Sequence, residues 1–336
     1  MMIKGFSAGM WYLSSTRFNR RTLVSSASTK SEVRKRRSQL FDDEKKRERA
    51  TIGRIEKIKV KYCTWNEDIT LSMNKYLSTP YDCARHISEG MAKMSALALV
   101  NGKPWDMHRA LNEDCELKLS TMRTPYDKTV NNAFWRTCSL MLGTVIDSAF
   151  KDDVEVRLHS FTGPNIKSGS FVYDAELGLE NWEWTMAELR SISALFAKLV
   201  HESLPIERLE TSPGVALNIF KDNPHKSKQI PDIAGSNNNK IVLYRIGEHI
   251  DISKGPMVGN TGLIGRCTVA AIHKIQAEDG LPLYRFQGVA IPTGILLNHF
   301  AYGILENRAR KINQTAWMPN RLNDENEDKF FIAAKN

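Results

Sequence analysis

The chain has 336 residues, 42% of them hydrophobic and 25% charged, an ordinary globular composition with length for about two domains of ~100–200 residues each. No apolar run approaches the ~18–20 residues of a membrane-spanning helix. The five cysteines (Cys63, Cys83, Cys115, Cys138, Cys267) are odd in number, scattered and without C-x-x-C spacing, which argues against a disulfide framework or a zinc ribbon.

The net charge of +9 is unevenly placed. Residues 1–62 hold 17 Lys or Arg against 6 Asp or Glu, a local excess of +11, so the remainder carries −2. Residues 1–30 contain no acid and carry Lys4, Arg17, Arg20, Arg21 and Lys30 among Ser, Thr and apolar residues. That is the composition of a mitochondrial transit peptide, with the mitochondrial matrix as the expected location.

Residues 31–54 are rich in helix formers and poor in apolar residues, predicting a basic helix that is ordered only against a partner. Two cationic clusters stand on it: Arg34, Lys35, Arg36 and Arg37, then Lys45, Lys46, Arg47 and Arg49. Their density suits an RNA phosphate backbone. A solvated charged linker is the competing reading.

Residues 55–122 predict a small domain. The segment from Ile55 to Tyr62 alternates apolar and charged residues, the period of a half-buried strand, and a second strand follows the turn signal at Asn66. Pro80 opens a helix expected to reach Gly90, with Ser78 or Thr79 as its cap. Strands are expected on both sides of the Asn101-Gly102 turn and again from Cys115 to Ser120. The order strand, strand, helix, strand, strand implies a ubiquitin-like β-grasp. The run from Ala96 to Thr121 resembles the TGS domain at the front of threonyl-tRNA synthetases, which implies a binding module without chemistry of its own. No G-x-x-x-x-G-K-[ST] loop is present, so a GTPase is not expected.

Residues 125–312 predict a larger α+β domain. Helical periodicity marks Val130 to Phe150, Met186 to Glu202 and Thr293 to Ile312. Strand-like runs lie at Val154–Phe161, Ser170–Leu177, Lys240–Ile252, Cys267–Ile275 and Tyr284–Ile291. Between Lys221 and Lys240, Pro224, Pro231, Gly235 and three Asn predict an exposed loop. Residues 313–336 form a C-terminal tail.

Three stretches of this region are similar to the threonyl-tRNA synthetase editing domain: the run from Trp135 to Ile146, the run from Gly169 to Leu177, and the run from His249 to Val258. The resemblance implies that Arg136 and Leu140 stand where the synthetase has a His-x-x-x-His pair, and that Ser253 and Met257 stand where it has Cys and His. An imidazole pair at i, i+4 shares one helix face and can hold a metal or position water. Arg is permanently protonated, and Leu has no lone pair to offer. The eight histidines (His86, His108, His159, His201, His225, His249, His273, His299) include no two within five residues, so no substitute pair exists. No metal, cofactor, small-molecule substrate or catalytic residue is expected.

An aminoacylation domain would follow in a synthetase, but the chain ends at Asn336, 24 residues after Ile312, so tRNA charging is not expected. Taken whole, with further likeness at Met73 to Tyr81, Pro104 to Met107 and Arg285 to Val289, the chain resembles mitochondrial large-subunit ribosomal proteins. That implies large-subunit rRNA and ribosomal proteins as partners. The alternatives are a free-standing tRNA-editing deacylase and a tRNA-binding translation factor that does not reside on ribosomes. Arg308, Arg310 and Lys311 at the end of the last helix are a further, weaker RNA candidate.

Overall fold

A computed structural model of the chain describes residues 29–63, 68–124, 127–179, 182–277 and 280–314. The expected transit peptide (save its last two residues), the turn signal at Asn66 and the tail from residue 315 lie outside the described residues.

Helix α1 (Lys30–Ala50) begins where the sequence supplies a capping box. The Thr29 side chain accepts the Glu32 N–H, and the Glu32 carboxylate accepts the Thr29 N–H, satisfying two otherwise orphaned donors. The helix buries only Arg37, Phe41 and Glu44. The partner against which it is ordered is the chain's own C-terminal half.

The first sheet comprises β1 (Lys57–Tyr62), β2 (Ile69–Asn74), β3 (Ser95–Val100), β4 (Lys103–Trp105) and β5 (Cys115–Thr121), in the order β2-β1-β5-β3-β4 with β1 parallel to β5. This is the β-grasp arrangement. Along β1, Ile58, Val60 and Tyr62 are buried and the alternating Lys57, Lys59 and Lys61 are exposed, because side chains alternate faces along a strand. Asn101 and Gly102 take φ of +50° and +76°, the left-handed pair that a tight hairpin needs. The helix opened by Pro80 is two helices, α2 (Pro80–Ile87) and α3 (Glu89–Met94). The break falls at Ser88, whose backbone is extended and whose side chain accepts the Met91 N–H, a local bond that competes with helix continuation.

The C-terminal half contains α4 (Lys128–Ala149), β6 (Val156–Ser160), β7 (Phe171–Leu177), α5 (Met186–His201), β8 (Glu207–Thr211), α6 (Pro213–Ile219), α7 (Pro224–Ser236), β9 (Ile241–Ile246), β10 (His249–Ile252), β11 (Ile264–Gln276), β12 (Pro282–Pro292) and α8 (His299–Ala309). Its strands form two sheets, β11-β12-β7-β6 and β10-β9-β8. Helix α4 touches both sheets and buries 14 of its 22 residues, as a helix apolar on most sides must. Strand β9 is covered on both faces: Val242, Tyr244 and Ile246 join the core of α4 and α5, while Ile241 and Leu243 join Phe41, α6 and α7. The chain is thus α+β, a β-grasp module followed by a larger α+β unit.

Three expectations need correction. The run Lys240–Ile252 is two strands, paired antiparallel and joined through Gly247 at φ +59°; double-sided burial hid the turn. The segment 221–240 is mostly α7 rather than an exposed loop. Asn223 caps it, accepting the Lys226 N–H, and Pro224 occupies the first turn, where a missing N–H costs nothing. Its polar residues point inward: the Lys226 ammonium lies 2.5 Å from the Asp251 carboxylate, and the Gln229 amide donates to the His159 carbonyl. Finally, α8 starts at His299 rather than Thr293, because the Asn298 side chain accepts the Ala301 N–H at 2.7 Å and caps the helix there.

Candidate functional site

Arg136 and Leu140 sit one turn apart on α4, and Ser253 and Met257 lie in the loop after β10. The fold lays that loop along α4. The Arg136 guanidinium donates to the Pro256 carbonyl at 3.1 Å. The Thr137 hydroxyl accepts the Val258 N–H at 3.0 Å and lies 3.6 Å from the Met257 sulfur. Leu140 and Met257 are buried to 0% and 1% exposure. Ser253 is half-buried, and its hydroxyl accepts the Gly255 N–H at 3.4 Å. A guanidinium, an alkyl chain, a hydroxyl and a thioether therefore fill this region; the cation is tied to a backbone carbonyl, and none is a base at neutral pH. The cavity beside Trp135, Ser139 and Phe171 has a volume of about 10 Å³, room for about one water.

Two glycines let tyrosine rings pack closely here, Gly143 bringing α4 against β7 and Gly255 bringing the loop against β9. A Cβ at Gly143 would stand 2.5 Å from the Tyr173 ring, and one at Gly255 would stand 1.8 Å from the Tyr244 hydroxyl. Tyr173 and Tyr244 in turn anchor buried carboxylates. The Tyr173 hydroxyl donates to Asp251 at 2.5 Å, and the Tyr244 hydroxyl donates to Asp106 at 3.0 Å.

Asp106 is the residue that sequence reasoning undervalued, quoting it only within a stretch of likeness. It belongs to the β-grasp module yet is buried in the C-terminal half, where it accepts the Met257 N–H at 2.8 Å and faces Arg208 at 3.4 Å. Burial raises its carboxyl above the usual range, although the Met257 amide, Arg208 and Tyr244 pull the other way. Beside it, the His108 ring lies 2.9 Å from the Gly259 carbonyl. Desolvation lowers that imidazole below its ordinary value. The segment 106–108 is thus a plug that joins the two halves through the loop carrying Met257. No periodic pattern marks such a residue, because its partners lie some 100–150 positions away.

Arg208 also binds Glu210, which in addition takes the Lys240 ammonium at 2.7 Å. Burial alone would raise the Glu210 carboxyl, but these two cations hold it down to about 2, against 4.5 when unfolded. Its stabilisation is complete above 4.5 and disappears as pH falls towards 2. The stability gap between wild type and Glu210→Gln, read from urea midpoints, is expected to be widest near neutral pH and to close across that window. A gap independent of pH would contradict this.

The structure places the cations of α1 in two groups. Lys30 donates to the Phe150 carbonyl at 2.8 Å, and Arg34 donates to the Asp147 carbonyl at 3.3 Å with the carboxylate 3.5 Å away. Arg36 donates to the carbonyls of Asn218 and Ile219, and Arg36 and Arg37 both pair with Asp222. These cations cap the C-termini of α4 and α6, where unpaired carbonyls concentrate negative potential. Lys45 pairs with Glu207 at 2.7 Å. Burial opposes ionisation of Asp147, but His249, Arg34 and Arg37 hold its carboxyl below the usual range. Lys35, Lys46, Arg47 and Arg49 are exposed, Arg47 with Glu44 as a neighbour and Lys46 with Asp43. At the other end of the chain, Arg308, Arg310 and Lys311 are all exposed, and Arg308 donates to the Lys167 carbonyl. Among the described residues, no group of three His, Cys, Asp or Glu side chains is placed to hold a metal.

The structure thus joins a β-grasp module to a larger α+β unit whose central helix, α4, carries no histidine. Residues 74–121 match the TGS domain family. The threonine–tRNA ligase of Thermotoga maritima is 32% identical over 187 residues, and the human mitochondrial threonine–tRNA ligase is 32% identical over 224. These alignments cover 55% and 66% of this chain but only 27% and 29% of the ligases. The large ribosomal subunit protein mL39 of Drosophila melanogaster is 49% identical over 295 residues, 87% of this chain and 88% of its own length. The chain belongs to the mL39 family.

Proposed function

We propose that the chain is a structural, non-catalytic component of the large subunit of the mitochondrial ribosome, working in the matrix in contact with large-subunit rRNA and neighbouring ribosomal proteins. The observation that carries this reading is the near-full-length relationship to mL39. The close packing of α4 against the 253–258 loop supports it, since shape is kept where an editing enzyme would need bases. On this reading Arg136, Leu140, Ser253 and Met257 are the remnants of an editing site. Residues 1–30 are the import signal, 31–54 a basic strap, 55–122 the TGS-like module, 125–312 the editing-like unit and 313–336 a tail. Among the described residues no helix is long and apolar enough to cross a membrane. A deacylase has no chemical support in the site.

Of the eight cations in the two clusters of α1, Lys35, Lys46, Arg47 and Arg49 are the proposed phosphate ligands, because their side chains are exposed. Sucrose gradients of salt-washed mitochondrial lysate test the reading. The chain is expected to sediment with large subunits, and sedimentation at the top would sink the proposal. In the same assay, replacing Lys35, Lys46 and Arg49 by alanine should reduce the salt slope of release by ~0.7–0.9 for each phosphate no longer neutralised. Arg36→Ala should leave that slope unchanged and lower stability instead.

A further inference from the structure

The segment between β12 and α8, together with the first two turns of α8, exposes a run of apolar side chains that no other described residue covers. Leu296 is 95% exposed, Phe300 80% and Ile304 55%, with Ile295 and Leu297 beside them. Phe300 and Ile304 are i, i+4 on one helix face. The Asn298 cap fixes where that helix begins, and the opposite face is held by buried Tyr302 and Ala309. Isolated exposed apolar residues are ordinary, but a contiguous set presented by an anchored helix is the signature of a binding surface.

The charges around this patch are predominantly positive. The Arg266 guanidinium stacks on the Tyr302 ring at 3.7 Å and reaches His299 at 3.5 Å. Arg123 lies against Gly294, where a Cβ would meet its guanidinium at 2.8 Å. Arg310 and Lys311 are exposed at the far end of α8. Among the described residues none of these four cations has a carboxylate within ion-pair distance, and the sole acid between 293 and 314, Glu306, accepts from Thr268.

Resting on the ribosomal reading above, the geometry points to this patch as the docking site for an acidic, amphipathic segment of a neighbouring ribosomal protein. Its apolar side chains would cover Leu296, Phe300 and Ile304, and its carboxylates would meet Arg123, Arg266, Arg310 and Lys311. Rim charges of opposite sign steer such an encounter and set its register, while buried aromatic and aliphatic anchors supply most of the affinity. RNA is a poorer fit, because its interfaces are more polar than this aliphatic surface.

The test uses full-length chain carrying Phe300→p-benzoylphenylalanine, incorporated into large subunits in mitochondria, irradiated and mapped by mass spectrometry. The expected adduct is a peptide of another large-subunit protein with several Asp or Glu interleaved with apolar residues. Adding Leu296→Ala and Ile304→Ala should reduce its yield about tenfold or more, with the urea midpoint unchanged. Adducts to rRNA, lipid, residues 315–336 of the chain itself or a peptide without acids would overturn the inference, as would no adduct from chain that still sediments with large subunits. A lowered urea midpoint would overturn it too, by making the patch part of the chain's own core. Chain absent from large subunits would overturn the ribosomal reading and this inference with it.

Discussion

Replacing Asp106 by alanine is expected to lower the unfolding free energy by about 3–5 kcal/mol, the range for removing one partner of a buried ion pair. The Tyr244 hydroxyl and the Met257 N–H lose their acceptor at once, and the Arg208 guanidinium is left with Glu210 alone. The side chains of Arg208 and Asp106 are only 10% and 8% exposed, so little water reaches the orphaned donors. Asp106→Asn, which keeps one acceptor oxygen and much the same volume, should cost less. Urea midpoints of the three proteins check this, and equal midpoints for Asp106→Ala and wild type would refute the plug. Because the bond joins the β-grasp module to the larger unit, Asp106→Ala should also expose the boundary between them to protease.

Phe41→Ala is the second large effect, expected at about 3–5 kcal/mol for an aromatic side chain removed from a core. Phe41 is 0% exposed and packs with Leu209, Ile230, Leu243 and Ile250, under the Arg245 guanidinium at 4.5 Å. It is the one apolar residue that α1 buries completely. The ion pairs that tie that helix to the rest of the chain, among them Arg34–Asp147, Arg36–Asp222 and Lys45–Glu207, are half-buried at the edge of the contact rather than part of its core. Without Phe41 the helix should detach, and trypsin should cut it at its many Lys and Arg residues. Circular dichroism and timed digestion read the outcome; a tryptic pattern identical to wild type would show that the cations alone hold α1 in place.

The two results bear on how the chain serves as a scaffold. An enzyme's site must admit substrate, whereas here the loop bearing Met257 is pinned between α4 on one side and Asp106 on the other. The same pinning makes one folded unit of the β-grasp module and the larger α+β unit. Rigidity of this kind suits a part that positions partners. Outward-facing Lys35, Lys46, Arg47 and Arg49 and the apolar patch at Phe300 are exposed surfaces among the described residues.

Much of this was legible in the residues themselves. Alternation in Lys57–Tyr62, the Asn101-Gly102 turn and the periodicity of α4 depend on neighbours within a few positions, so local pattern suffices to place them. The residue types were legible too: Arg136 and Leu140 carry no imidazole wherever they lie, since proton affinity belongs to the side chain.

Other features depended on partners that no local window contains. Lys226 and Gln229 look like loop residues until Asp251 and the His159 carbonyl are brought to them. Arg34, Arg36 and Arg37 look like RNA ligands until the C-termini of α4 and α6 arrive beneath them. By itself, the sequence determined the fold class, the family likeness and the absence of an imidazole pair, because these rest on residue type and short spacing. The tertiary structure alone decided which cations face outward and that Asp106 joins the two halves. Those outcomes depend on which charges and orphaned backbone groups meet across 100 or more residues, and on how much water is excluded when they do.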